Sequence, residues 1–223
     1  MKQTVPALAL LLTLAACGGA STETAKTEAK QEAAVATGTA YVIDTATTSV
    51  QWRATHKGGF APRFGTIKVT DGTLNVENGA ITSGNFEVNM NSLTADPASV
   101  TEADKKSTDL DGHLKSADFF DTAKYPTAKF VITAVAPFDS TKAKSLLPGA
   151  TNLISGNLTL KDSTLNITFP AQITVTDAEV TANAKFVIDR SAWGISYKTE
   201  GSPENWMISK DVEIGFSLKA AKK

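Results

Sequence analysis

The stretch VQWRATH, residues 50–56, alternates between apolar and polar side chains along its whole length. Val50, Trp52 and Ala54 share one parity, and the residues between them are polar or charged. Successive side chains of a β-strand point to opposite faces, so this period of two predicts a strand with one buried face. His56 has the same parity as the apolar residues, which places an imidazole on the buried side.

The same period of two recurs along the chain beyond this stretch. It predicts roughly eight to ten strands, with no long amphipathic helix between them. Strands that are apolar on one face enclose a core as a two-sheet sandwich or as an antiparallel barrel. The short connections favour an up-and-down barrel, and eight strands leave room inside for side chains or one small ligand. The alternating apolar positions are Ile67/Val69, Leu74/Val76, Phe86/Val88/Met90, Phe130/Ile132, Leu158/Leu160, Leu165/Ile167/Phe169, Phe186/Ile188 and Val212/Ile214/Phe216/Leu218.

One dipeptide, Asp71-Gly72, lies between two of these alternating runs. Asp-Gly is a strong signal for a two-residue hairpin turn. We therefore expect residues 67–69 to pair with residues 74–76 across a tight turn at this point.

The stretch DGHLKSADFFDTAKYP, residues 111–126, breaks the period of two. Upstream of it, Asp96-Pro97 is typical of a helix cap followed by the first helical position. Apolar residues at i, i+4 and i+7 from Leu110, with His113 at i+3, form one face of a helix. We predict a short helix at about residues 98–117 that covers one end of the barrel.

Composition and motifs exclude several classes of function. The formal net charge is -1, so the chain lacks the basic excess that nucleic-acid binding requires. No G-x-S-x-G nucleophile motif is present, and we expect neither catalysis nor a cofactor. A zinc site built from His56, His113 and Asp111 is an alternative, but we expect no metal. Each histidine is either a hydrogen-bonded core residue or a polar point that orients a ligand at a cavity mouth.

The first residues predict an export signal. Lys2 precedes a short apolar run, residues 7–14, that is too short to span a bilayer. The run ends in LAAC, residues 14–17, which resembles a bacterial lipobox. We therefore predict a signal peptide over residues 1–16 and lipid attachment at Cys17. No other cysteine is present, which excludes a disulfide within the chain.

Residues 17–39 are small, polar and mixed in charge, and they offer no apolar face to bury. We expect a flexible tether that holds the barrel roughly 25 Å from the anchor on average. Gly18, rather than an aspartate, follows the cysteine, and similarity to known sorting signals then favours the outer membrane. The expected location is the bacterial cell envelope, with the barrel facing the periplasm.

Four stretches together resemble one family. They are YVIDTATTSVQWRATH (41–56), GHLKSADFFDTAKYPTAKF (112–130), ISGNLTLKDSTLNITFP (154–170) and WMISKDVEIGFSLKA (206–220). In this order they resemble the YceI-like family over residues 40–221, which we interpret as one domain. The resemblance implies an exported, lipocalin-like, eight-stranded antiparallel barrel. It also implies that the apolar interior carries, stores or sequesters a polyisoprenoid or an isoprenoid quinone.

The motif positions that match the family pattern are His56, His113, Leu114, Ser116, Asp118, Phe119, Phe120, Tyr125 and Pro126. The chain departs from the pattern at residues 110–112, where an arginine often stands in the family. Because arginine is the natural partner of phosphate, this departure favours a neutral head group such as a quinone.

The residues expected to contact the ligand have inward parity, lie in the interrupting stretch, or belong to loops at a barrel end. Among the loop aromatics, Trp193, Tyr197 and Trp206 are either core edges or rim residues. The alternative function is a structural or stress-protective module whose core is filled. The sequence leaves open whether two barrels form a homodimer. The expected ligand contacts are Trp52, His56, Phe60, Phe86, Met90, His113, Leu114, Phe119, Phe120, Tyr125, Phe130, Ile132, Phe186, Ile188, Trp193 and Phe216.

Overall fold

The alternating stretches form strands whose apolar faces meet in one core. A computed structural model describes residues 24–199 and 207–223. Among the described residues, no helix is long and apolar enough to cross a membrane. The elements are β1 (Lys26–Ala29), β2 (Thr39–Ile43), β3 (Ser49–His56), β4 (Arg63–Glu77), β5 (Ala80–Asn89), β6 (Thr94–Ala95), α1 (Ser107–Lys115), β7 (Thr127–Pro137), β8 (Asn152–Leu160), β9 (Ser163–Val175), β10 (Glu179–Asp189) and β11 (Ile208–Lys222).

The strands close into an eight-stranded antiparallel barrel, as predicted. Around the barrel the order is β9, β10, β11, then β2 and β3, then β4, β5, β7 and β8, and β8 pairs with β9 again. β2 and β3 together fill one position, because both pair with β11 on one side and with β4 on the other. The predicted inward positions Trp52, Phe130 and Phe186 are buried in the barrel interior.

The predicted hairpin at Asp71-Gly72 is wrong. β4 runs through this dipeptide, and the turn to β5 lies at Asn78-Gly79, where both residues have positive φ (52° and 77°). Positive φ at both central positions is what a type I′ hairpin requires. Gly72 instead lies where β4 changes partner from β3 to β2, and a Cβ there would stand 2.4 Å from the Ile43 side chain.

The helix is shorter than predicted. Asp96 does act as a cap, since its side chain accepts the N–H of Ala98, but it caps a single 3-10 turn at Pro97–Ser99. The chain is extended at Val100, and α1 begins only at Ser107. The intervening segment TEADKK has no apolar face that could pack on the barrel, and short helices depend on such packing.

The N-terminal segment differs from the predicted flexible tether over its described part. β1 pairs with residues 165–168 of β9, and Ala25 donates its N–H to the carbonyl of Val187 in β10 at 2.8 Å. β9 and β10 pair directly only over residues 171–175 and 180–184. β1 therefore fills the seam where these two strands diverge.

Beyond β1, the segment crosses the outside of the barrel towards β2. The Gln31 backbone donates to the Asn157 side chain and accepts from it, at 3.0 and 2.7 Å, and the Ala34 N–H donates to the carbonyl of Ile132 at 3.0 Å. Asn157 also accepts from Asn166, at 3.1 Å, beneath this crossing. A polar, low-hydrophobicity sequence is thus held by backbone pairing, which no hydrophobic pattern reveals. The signal peptide, Cys17 and the tether before residue 24 lie outside the described residues.

Candidate ligand-binding cavity

The barrel interior contains a cavity of about 540 Å³. Its walls come from inward-facing apolar residues of the strands, and its mouth lies among α1, the segment before it and the loop after β10. A second, much smaller cavity of about 30 Å³ lies deeper in the barrel and is lined mainly by aliphatic residues. The interior is therefore partly open at the α1 end and nearly filled at the other end.

A layer of phenylalanines forms the floor of the cavity. Phe169 and Phe186 stack with ring centroids 4.1 Å apart and planes 11° apart. Phe216 meets both of these rings edge-on, at 6.0 and 6.5 Å. Phe130 lies 5.7 Å from Phe169 and 5.3 Å from Phe86. Since all but Phe186 also line the smaller cavity, the layer separates the two spaces.

α1 is fixed beside the mouth by one short hydrogen bond. The Asp111 carboxylate accepts the backbone N–H of Ala95 in β6 at 2.6 Å. β6 in turn pairs with Gly65 and Thr66 of β4. This chain of contacts ties the helix to the barrel wall and positions His113 and Leu114 at the cavity.

Three aromatic side chains meet beside the mouth, and we call them the aromatic cluster: His113, Phe119 and Tyr197. Their ring centroids lie 5.1 to 5.2 Å apart in every pair. His113 Nε2 lies 3.0 Å from Asp118 Oδ2. His113 thus has a hydrogen-bond partner and lines the cavity, but its side chain is 40% exposed, so it is not a core residue.

His56 ends β3 at the mouth, where Arg63 and Glu102 form an ion pair. Arg63 also donates to the carbonyl of Ser99 at 2.6 Å, which ties β4 to the segment before α1. Burial, and secondly the charge of Arg63, lower the pKa of His56. Hydrogen bonds from its own backbone and from Arg63 lower the pKa of Glu102. At neutral pH the mouth therefore carries a neutral His56 beside a paired carboxylate.

Arg190 is buried in the cavity wall directly after β10, with 5% of its surface exposed. Its guanidinium donates to the carbonyls of Ile195, Tyr197 and Ser209 at 2.6, 2.8 and 3.1 Å. The ring of Phe119 lies over it, with the centroid 5.6 Å from Cζ. Burial lowers the pKa of Arg190, but arginine remains a cation in proteins.

Most of the residues predicted to contact a ligand line this cavity, and four do not. Phe60 is 65% exposed. The Tyr125 hydroxyl donates to Asp162 at 3.1 Å outside the cavity. Trp193 is buried and donates to the Leu158 carbonyl at 3.0 Å, and Ile132 lines the smaller cavity. Those that do line the main cavity are Trp52, His56, Phe86, Met90, His113, Leu114, Phe119, Phe120, Phe130, Phe186, Ile188 and Phe216.

Three residues that line the cavity, Phe169, Arg190 and Tyr197, were not among the expected ligand contacts, although the sequence had indicated Phe169 as an apolar strand position and Tyr197 as a core-edge or rim residue. Phe169 has the inward parity of its strand, so the alternation pattern could have identified it as a cavity residue. Arg190 follows the end of a strand, where no periodicity indicates burial. Tyr197 belongs to a loop whose packing depends on distant elements, and Trp206 of the same loop lies outside the described residues. In the part of the chain that the structure describes, no three His, Cys, Asp or Glu residues cluster as metal ligands.

Comparison with known protein families and curated sequences shows to which family this chain is similar. The profile of the YceI-like domain matches residues 41–220. A UPF0312 protein of Shewanella denitrificans is 39% identical over 98 residues, which are 43% of this chain and 47% of the relative. Protein YceI of Escherichia coli is 32% identical over 124 residues, 56% of this chain and 55% of the relative. The aligned part thus spans about half the length of these relatives.

Solved structures share the fold at low sequence identity. Burkholderia cenocepacia BcnA superposes with a TM-score of 0.58 at 20% identity, over 80% of this chain and 99% of the other. A polyisoprenoid binding domain from Saccharophagus degradans, implicated in plant cell wall breakdown, superposes with a TM-score of 0.51 at 14% identity. That match covers 83% of this chain and 99% of the other. At these identities the likeness concerns the barrel fold.

Proposed function

The chain belongs to the YceI-like family, and from this premise we propose that it binds the tail of an isoprenoid amphiphile inside its barrel. The observation that carries the proposal is the cavity of about 540 Å³ with its apolar strand walls. This volume is typical of small-molecule sites. Burial of an apolar tail contributes about 25 cal/mol per Å² before the costs of association are subtracted.

The ligand class we propose is a polyisoprenoid or an isoprenoid quinone. The solved structure from Saccharophagus degradans is described as a polyisoprenoid binding domain, which supports this class. The role we propose is carriage, storage or sequestration rather than catalysis. The alternative of a structural module with a filled core has less support, because an open cavity lies above the phenylalanine layer.

Occupation of the cavity can be tested with a matched pair of substitutions. Val212 lines the cavity, whereas Val42 is 43% exposed. Val212→Trp should fill the space that the tail would take, and Val42→Trp should leave it open. Delipidated protein is titrated with geranylgeraniol and measured by native mass spectrometry. We expect a one-to-one complex for wild type and Val42→Trp and its loss in folded Val212→Trp; no complex with wild type would refute the proposal.

We further propose that the chain is anchored through a lipid on Cys17 and faces the periplasm from the outer membrane. Support comes from the LAAC sequence at residues 14–17. Because the described chain is already paired with the barrel at Ala25, only the residues between Cys17 and that point can act as a spacer. Fully extended, they would span at most about 28 Å. Palmitate labelling and membrane fractionation of wild type and Cys17→Ala test this, and an unlabelled, soluble wild type would refute it.

A further inference from the structure

The geometry points to a lateral entrance to the cavity at the seam between β9 and β10, with the N-terminal segment as the gate that closes it. Release of β1 from this seam would give the apolar tail of a ligand a route through the barrel wall, separate from the mouth beside α1. This inference rests on the proposed function, because the tail that enters would occupy the cavity.

The first observation is a break in the barrel wall. β9 and β10 pair with each other only as far as Ala171 and Ala184, and from there towards the mouth β1 completes the wall between them. The turn after β10 contacts β9 and bounds the seam at the mouth end. With one strand between them, the backbones of β9 and β10 stand about 10 Å apart. Displacement of β1 would therefore leave a gap through which an extended hydrocarbon chain can pass.

The second observation is the apolar surface behind the seam. Inward-facing residues of β9 and β10 flank it on both sides, and all of them are buried and line the cavity. A tail that passed the seam would arrive directly at the phenylalanine layer. Ala25 is the contribution of the N-terminal segment to this apolar core. The flanking residues are Ile167, Phe169, Phe186 and Ile188.

The third observation is how lightly β1 is held. The side chains of Lys26–Ala29 are all exposed, and lysine, glutamate and alanine are disfavoured in strands. On the β10 side the contact is centred on Val187, which is bridged by Thr24 and accepts the N–H of Ala25. The neighbouring pair of β10 and β11, in contrast, is continuous over residues 179–189. Backbone pairing that buries few apolar side chains opens at low cost in free energy.

The fourth observation is the polar surface under the next part of the segment. The Asn157 side chain pairs with both backbone groups of Gln31 and accepts from Asn166, which also donates to Thr133 at 2.9 Å. These side chains face outwards, so water can replace the Gln31 backbone when the segment leaves. Release would then leave no buried polar group without a partner. Polar contacts of this kind are typical of surfaces that separate and rejoin.

A disulfide that locks β1 to β9 tests the gate. Lys26 and Thr168 stand directly opposite each other on the outer face, where Cα separations of about 4.5–5.5 Å suit a disulfide. Lys26→Cys/Thr168→Cys is made in the full chain with Cys17→Ala, so that no other thiol is present. The matched control is Asn183→Cys/Ser217→Cys, which locks β10 to β11 at a position away from the seam.

The readout is the exchange of bound geranylgeraniol for its deuterated form, followed over time by native mass spectrometry. We expect the oxidised β1–β9 lock to exchange at least about tenfold more slowly than the same protein after reduction, because the local opening is blocked. The Kd should stay the same, since a lock that slows entry and release alike leaves the equilibrium unchanged. The control lock should exchange at one rate in both redox states.

A variant that weakens the seam gives the opposite test. Ala25→Lys should exchange geranylgeraniol faster than wild type, because a lysine cannot occupy the buried position of Ala25 without its charge being desolvated. Ala29→Lys, at an exposed position of the same strand, should keep the wild-type rate. If the β1–β9 disulfide does not form, this pair of variants decides, and a wild-type rate in Ala25→Lys overturns the gate.

The gate and the proposed function can fail separately. Equal exchange rates in the oxidised and reduced β1–β9 lock would overturn the gate while the isoprenoid proposal stands. Equal slowing by the control lock would assign the effect to a stiffer barrel and would also overturn the gate. No binding of geranylgeraniol to wild type would refute the proposed function and this inference together.

Discussion

Ala25 donates its backbone N–H to the carbonyl of Val187 at 2.8 Å, which makes the N-terminal segment part of the barrel wall. On the other side of the same segment, β1 pairs with residues 165–168 of β9. Ile167 and Ile188, which flank this seam, both line the cavity. The segment therefore completes the part of the barrel wall that surrounds the cavity in which we propose the ligand binds.

Ala25→Lys should loosen this seam. Ala25 is 7% exposed and belongs to the core cluster. Burial of an unpaired charge is unfavourable, so a lysine at this position should push the segment away from the barrel wall. We expect amide hydrogen exchange of residues 165–168 to become at least about tenfold faster, since local opening then costs less. Ala29→Lys is the matched control, because Ala29 is exposed in the same strand. Equal protection in both variants would contradict a closing role for β1.

Two Gly→Ala substitutions should change stability in opposite directions. At Gly65 an added Cβ would stand 1.8 Å from the carbonyl oxygen of Thr94, and this backbone contact supports β6. Gly65→Ala should therefore destabilise the protein by about 2 kcal/mol or more. At Gly112, inside α1, nothing lies within 4 Å of the added atom.

Gly112→Ala should accordingly stabilise the protein by about 0.5–1 kcal/mol, the usual gain in a helix interior. Urea unfolding of both variants measures the effect. A neutral Gly65→Ala would show that β6 can move away from β4, and the link from β4 through β6 to Asp111 would then not fix the helix.

Stability should fall as the pH drops below about 6.5, the ordinary pKa of histidine, because the pKa of His56 is lowered in the fold. As the pH falls, the histidine of the unfolded chain is protonated while His56 in the folded protein is still neutral. This proton uptake favours the unfolded chain until the pH falls below the pKa of His56 in the folded protein. Besides burial, the charged groups that act on His56 are Arg63 and Lys105, which lower its pKa, and Glu102, which raises it.

His56→Gln should flatten this dependence below about pH 6.5, measured by urea unfolding at each pH. The pKa values of Asp44 and Asp139 are lowered from 3.8, so these carboxylates change the stability only at lower pH. An unchanged slope in His56→Gln would assign the pH dependence to other groups.

Alternation was enough to predict the barrel, because each strand buries one face and every buried face must meet another. The period of two assigns Trp52, Phe130 and Phe186 to the interior, and all three are buried there. Turn chemistry was less informative, because Asp71-Gly72 and Asn78-Gly79 carry equally strong signals. Only the positive φ values at the second dipeptide and the strand pairing identify the real turn.

The features that the sequence did not predict depend on contacts between residues that are far apart along the chain. Residues 26–34 have a tether-like composition, yet backbone groups at the seam between β9 and β10 hold β1, and Asn157 and Ile132 hold residues 31 and 34. From the sequence Arg190 would be assigned to the surface after a strand. In the fold it is buried, and its guanidinium donates to the carbonyls of Ile195, Tyr197, Ile208 and Ser209. Neither arrangement leaves a periodic signal in the sequence.

The phenylalanine layer should set the length of tail that the cavity accepts. Phe169 is 2% exposed, stacks on Phe186 at 4.1 Å and lines both cavities. Phe169→Ala should join the two spaces and cost about 3–5 kcal/mol of stability. Phe169→Leu is the milder variant if the alanine variant does not fold.

Native mass spectrometry with an equimolar mixture of prenols of increasing length gives the readout. We expect Phe169→Ala to shift the bound population towards longer tails, because the tail can then pass the layer. Phe138→Ala, in the loop after β7 and outside both cavities, should keep the wild-type distribution. If Phe169→Ala lost stability but kept that distribution, the layer would be a packing element of the core, and tail length would be limited elsewhere in the barrel.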